Sequence, residues 1–133
     1  MRQDLDDALV RDFPNLYRDR HGDTRHTRMC DGFSCGDGWE PLIRRLSAKL
    51  EPLVRGTSLR AAQVKQKFGP LRFYMTPLGP LPPTVEGAIE VATVESERTC
   101  ERCGDVGRMR DVDSFAQTLC APCFDVERRA SRA

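Results

Sequence analysis

Cys100-Glu101-Arg102-Cys103, sixteen residues, then Cys120-Ala121-Pro122-Cys123: this stretch decides how the chain is read. Two Cys-x-x-Cys pairs at that separation form the pattern of a four-thiolate zinc site, each pair folding into a tight knuckle with room between them for a short hairpin. Gly104 follows the first pair, where a knuckle needs a positive φ that glycine adopts cheaply. Two structural disulfides, or four unligated thiols, are the competing readings. Spacing and a reducing compartment favour metal. With all four positions filled by protein, such a site has no place for water or substrate, so its expected role is structural. The expectation is therefore a C-terminal zinc ribbon holding one zinc ion through Cys100, Cys103, Cys120 and Cys123. Its strands fall at Arg108-Met109-Arg110 and Phe115–Leu119, with the turn at 111–114.

Working outward, the chain of 133 residues suits one domain with one modest core. Twenty-one Lys and Arg against twenty Asp and Glu leave a net charge of +1, which argues against a surface that coats nucleic acid and leaves room for a local basic patch. The N-terminal residues lack an apolar signal region, and no run approaches about eighteen apolar residues. The expected setting is a reducing cytoplasm, where six cysteines are better explained by metal than by disulfides.

Upstream of the ribbon, Leu5, Leu9 and Phe13 place one apolar face on a short acidic helix that Pro14 ends. Residues 17–28 are polar and aperiodic and read as a loop. Gly32, Gly36 and Gly38 impose tight turns before the main helix, for which Asp37 and Glu40 suggest a capping box. Trp39, Leu42, Ile43, Leu46, Leu50, Leu53 and Val54 recur at helical spacing and predict the central amphipathic helix. Residues 63–75 predict a β-hairpin. With a two-residue Gly69-Pro70 turn, Phe68 faces Leu71 and Val64 faces Met75 toward the core, while Lys65, Lys67, Arg72 and Tyr74 share the other side. A helix over 58–68 is the alternative. Four prolines, Pro77, Pro80, Pro82 and Pro83, make 76–84 a stiff connector. Thr84 then N-caps a helix through Val85, Ala88, Ile89 and Ala92 toward Glu97. A short terminal helix covers 124–130, with the last three residues frayed. The fold class expected is a small α+β domain, a central helix packed on a hairpin (1–84), followed by a linking helix, zinc ribbon and tail (85–133), one compact domain in all.

At Cys35-Gly36-Asp37-Gly38-Trp39, at 63–74 (Gln-Val-Lys-Gln-Lys-Phe-Gly-Pro-Leu-Arg-Phe-Tyr) and at Thr99-Cys100-Glu101-Arg102-Cys103-Gly104, the chain resembles an uncharacterised family of small phage- and prophage-encoded zinc-ribbon proteins. The likeness spans roughly 29–124, with three motifs in the same order. It departs at Gln66, where that family has glutamate, and at Pro70, where it has glycine. The resemblance implies a viral accessory protein and supplies no enzymology.

Other chemistry is thinner. His21, His26, Cys30 and Cys35 make a second zinc site conceivable, although their spacing matches no standard motif. His21-Gly22-Asp23 lacks the His-x-Glu of a zinc deaminase, and no histidine follows residue 26, so the chain is expected not to be an enzyme. Two function classes follow. In one, Lys65, Lys67, Arg72 and Tyr74 receive a phosphorylated small ligand, such as a host nucleotide signal, or an acidic host partner, in host takeover or counter-defence. In the other, the ribbon with Arg102, Arg108 and Arg110 binds nucleic acid in a transcription-associated role. The near-zero net charge favours the first, since a small anion needs only a few cations and a polyanion a broad basic face.

Overall fold

The computed structural model describes residues 1–23 and 25–132. Four helices and two small sheets give an α+β fold: α1 (Gln3–Asp12), β1 (Phe33–Ser34), α2 (Glu40–Val54), β2 (Arg60–Gln66), β3 (Leu71–Thr76), α3 (Pro83–Ser96), β4 (Arg108–Val112), β5 (Phe115–Leu119) and α4 (Ala121–Arg132). The first sheet runs β1-β2-β3 and the second pairs β4 with β5. Among the described residues, no helix is long and apolar enough to cross a membrane.

The apolar repeat of α2 builds the core as its spacing predicts. Trp39, Leu42, Ile43, Leu46, Leu50 and Val54 are buried together with Val64, Leu71, Phe73 and Met75 of the sheet and Val85 and Ala92 of α3. Leu53 is an exception, half-exposed beyond the edge of the stripe. Arg45 of α2 pairs with Glu95 of α3 at the rim. Leu46 is 2 % exposed, so Leu46→Ala should cost about 2–5 kcal/mol in a denaturant titration. A loss within about 0.5 kcal/mol, as at surface positions, would mean the helix face is misassigned.

The helix starts differ from the predicted ones. Asp37 opens a short 3₁₀ turn through Trp39 and makes no side-chain cap; its carboxylate accepts from the backbone N–H of Arg2 at 2.7 Å, so the capping box does not form. The α3 helix starts at Pro83, one residue before the expected Thr84 cap, using proline at its first turn, where the missing N–H costs nothing. At the far end α4 reaches Arg132, so two of the three residues expected to fray are helical; Ala133 lies outside the described residues.

The hairpin over 58–68 prevails over the helical alternative, with a register slipped by two. Val64 faces Phe73, Lys65 faces Arg72 and Gln66 faces Leu71. Phe68 and Gly69 are the turn residues, at φ +59° and +112°, closed by the Lys67 N–H donating to the Pro70 carbonyl at 3.2 Å. The cause is Pro70: a tight hairpin turn of this type needs positive φ at both central positions, and proline is locked near −65°. Phe68 is therefore 70 % exposed rather than part of the core. A slip of two preserves which side each residue faces, so Lys65, Arg72 and Tyr74 still share the outer side of the sheet.

The aperiodic stretch after α1 is also more ordered than its composition suggests. Tyr17 is buried, its hydroxyl 2.5 Å from Ser47 Oγ and its ring edge-on to Phe33 at 4.9 Å. Arg20 Nε donates to Asp6 at 2.9 Å in a largely buried pair, and the Glu51 carboxylate accepts from the backbone N–H groups of Asn15 and Leu16. Thr24 of this stretch lies outside the described residues.

Candidate metal centre and basic sheet face

The first Cys-x-x-Cys pair follows α3, and the second brackets the junction of β5 with α4. Pairing of β4 with β5 from Arg108↔Leu119 to Val112↔Phe115 folds the chain back so that the two knuckles meet. The sulfurs of Cys100, Cys103, Cys120 and Cys123 all lie within 4.8 Å of one another. Thiolates held tetrahedrally at about 2.3 Å from zinc sit roughly 3.8 Å apart; Cys103 and Cys120 are 3.6 Å apart. Burial pushes the Cys100 thiol up, but backbone N–H groups of Cys103, Cys120 and Arg102 converge on it and bring it down to about 7, whereas burial and the neighbouring thiols push Cys123 up, since four packed sulfurs resist ionising together unless a cation joins them. The donor set, its separation and Gly104 at φ +87° fit a zinc ion.

The glycine motif docks directly on the first knuckle, a join that the sequence did not disclose. Gly38 N–H donates to the Glu101 carbonyl at 2.8 Å, Gly36 N–H to the Glu101 carboxylate at 3.0 Å, and Trp39 Nε1 to the Thr99 carbonyl at 2.8 Å. Burial raises the Glu101 carboxyl above its ordinary value, opposed by the Gly36 N–H. A second join links the hairpin tip to β5: Gln66 Nε2 donates to the Ala116 carbonyl, and Thr118 Oγ1 to the Gly69 carbonyl at 3.2 Å. The glutamine at 66 matters here, since a glutamate has no hydrogen to offer a carbonyl.

The four-cysteine cluster is the one metal-fitting group among the described residues; His21, His26, Cys30 and Cys35 are not brought together as a second. Cys35 is buried in the main core, and burial pushes its thiol up to about 12, which leaves it unreactive. The Cys30 thiol donates to the Thr27 carbonyl, and His26 lines a different feature, a cleft of about 390 Å³ with Arg25, Arg28, Gln63 and Tyr74 beside the outer sheet face.

On that face Lys65 and Arg72 stand directly opposite each other, and Lys65 Nζ lies 5.9 Å from the centre of the Tyr74 ring. Among the described residues no acidic side chain pairs with Lys65, Lys67 or Arg72. Arg72 Nε is buried with no hydrogen-bond partner. The ribbon arginines are differently placed: Arg102 pairs with Glu127, and Arg110 donates to the Leu119 carbonyl and covers Phe124.

Fold and site thus define a small α+β protein with a C-terminal four-cysteine cluster suited to zinc. Compared with known proteins, the chain gives no match to a family model, to a curated protein or to a solved structure.

Proposed function

We propose that this chain is a non-enzymatic, zinc-stabilised binding protein, an accessory factor of phage type acting in host takeover or counter-defence, whose outer sheet face receives a phosphorylated small ligand. The observation that carries the ligand class is the unpartnered Lys65–Arg72 pair. Like charges directly across two strands are destabilising, and a phosphate between them turns that cost into two charge-assisted contacts. Tyr74 adds an aromatic face, and the adjoining cleft adds His26 and Arg28, its third cation, Arg25, being paired with Asp23. An acidic protein surface is a weaker fit, since the orphaned Arg72 Nε suits a compact anion that enters the sheet face. Binding of nucleic acid by the ribbon has less support, because Arg102 and Arg110 are engaged within it. The phage role rests on the sequence resemblance.

The test is calorimetric titration of wild type and a Lys65→Gln/Arg72→Gln double variant with mono-, di- and cyclic nucleotides and with short duplex DNA. Each lost contact is worth about 1.5–3 kcal/mol, so the variant should bind its nucleotide roughly 10²–10⁴-fold more weakly with zinc content unchanged. Salt-sensitive duplex binding that survives the double substitution would transfer the function to the ribbon.

A further inference from the structure

Between the tips of the two hairpins runs a groove of about 540 Å³, lined by Gln66, Lys67, Phe68, Glu101, Phe115 and Gln117 among others. That volume is within the usual range of small-molecule sites, roughly 300–1,000 Å³. Three independent features distinguish it from ordinary surface. First, both tips are turned by non-glycine residues at positive φ, Phe68 at +59° on one side and Asp113 and Ser114 at +50° and +69° on the other. Tight hairpin turns ask for such angles, and Asp and Ser reach them at little cost, but a phenylalanine there is strained. Second, each tip presents an exposed aromatic ring, Phe68 at 70 % and Phe115 at 73 %, and at Phe68 no burial offsets the strain. Third, Glu101 keeps one carboxylate oxygen on Gly36 N–H, while the other, Oε1, is buried with no partner. A buried acceptor without a donor is costly in a folded protein.

We propose that this groove holds the base of a guanine nucleotide. Two aromatic rings suit stacking of a planar base. A carboxylate with an unmet acceptor oxygen suits a base edge with adjacent N–H donors, and guanine alone among the common bases offers two, its ring N1–H and its exocyclic amine, to one carboxylate. Lys67, two residues after Lys65 and with its Nζ 5.3 Å from the centre of the Phe68 ring, extends the cationic Lys65–Arg72 face, which takes the phosphate, to the mouth of the groove. A polyanionic strand fits less well, because Glu101 places a negative charge in the wall. The assignment rests on the phosphorylated-ligand reading for the phosphate and adds to it where the base sits and which base it is.

The zinc-loaded full chain is titrated with guanosine monophosphate, adenosine monophosphate, inosine monophosphate, which lacks the exocyclic amine, and a short single-stranded guanosine oligonucleotide. Expected is at least 10-fold tighter binding of guanosine than of adenosine monophosphate, with inosine monophosphate between them. Glu101→Gln should lose the preference while zinc content stays at wild type, and Phe115→Ser, which alters an exposed ring, should weaken guanosine monophosphate at least 10-fold without lowering the melting temperature. Tighter binding of the oligonucleotide than of the free nucleotide would support the guanine site and identify its source as RNA. Equal binding of both monophosphates, abolished by Lys65→Gln/Arg72→Gln, would overturn the groove assignment and leave the phosphate face standing. Absence of any nucleotide binding would overturn both.

Discussion

Removing zinc is expected to unfold the C-terminal quarter of the molecule and to shift the fluorescence of Trp39 to the red. The ribbon's own buried cluster consists of Cys100, Val112, Leu119 and Cys120, backed by Cys123 and Phe124. Half of the fully buried members are thus ligands, and a two-stranded hairpin with so little apolar support is marginal on its own. Structural zinc binding is worth about 10–16 kcal/mol in small peptides, comparable with the roughly 5–15 kcal/mol that stabilises a whole domain. Trp39 is the single tryptophan, 0 % exposed, and its indole N–H donates to Thr99, next to the first ligand. It therefore reports the state of the knuckle. A strong chelator should release one zinc per chain, red-shift the emission and remove β4–β5, while much of the helical signal of α2 and α3 remains. Cys123→Ser should do the same without chelator. A metal-free protein with the wild-type emission and melting temperature would show that the four thiols are not a structural metal site.

What the sequence disclosed follows from how local each constraint is. The four clustered cysteines were legible because a zinc-fitting site fixes the spacing within each knuckle, and α2 because one helical face is buried along its whole length. The glycines before α2 were legible as turns but not as a docking surface, since their partner, Glu101, is distant in sequence, 65 residues from Gly36. Tyr17 looked like loop because it is a single buried ring in an aperiodic segment, placed by Ser47, Phe33 and Phe73 from three other elements. The β1 strand, two residues pairing in parallel with Val64 and Lys65, is too short to show any alternation. The turn at Phe68-Gly69 is itself local information, because the fixed φ of Pro70 bars it from the central pair of a tight hairpin turn.

The sharpest test of the join between core and ribbon is Gly38→Ala. A Cβ at this position would lie 2.3 Å from the Cys100 carbonyl oxygen, 2.5 Å from Gly104 N and 2.7 Å from the Glu101 carbonyl oxygen. All three are backbone atoms of the tightly turned first knuckle, so no side chain can swing aside to make room. Gly38 is required for space, and its N–H bond to Glu101 at 2.8 Å holds the close approach. Overpacking of this kind costs typically about 1–3 kcal/mol and more where backbone must move; with the loss of that hydrogen bond, about 3–5 kcal/mol is expected here. For a chain of this length that corresponds to a fall in melting temperature of roughly 10 °C or more. Gly87→Ala is the matched control: it lies inside α3 with nothing within 4 Å of its would-be Cβ, so the same substitution should stabilise by about 0.5–1 kcal/mol. Because the ligands are untouched, Gly38→Ala should still bind one zinc while Trp39 becomes exposed, separating docking of the ribbon from its folding. A Gly38→Ala protein that melts with the wild type and keeps its tryptophan buried would mean that the glycine motif does not clamp the knuckle.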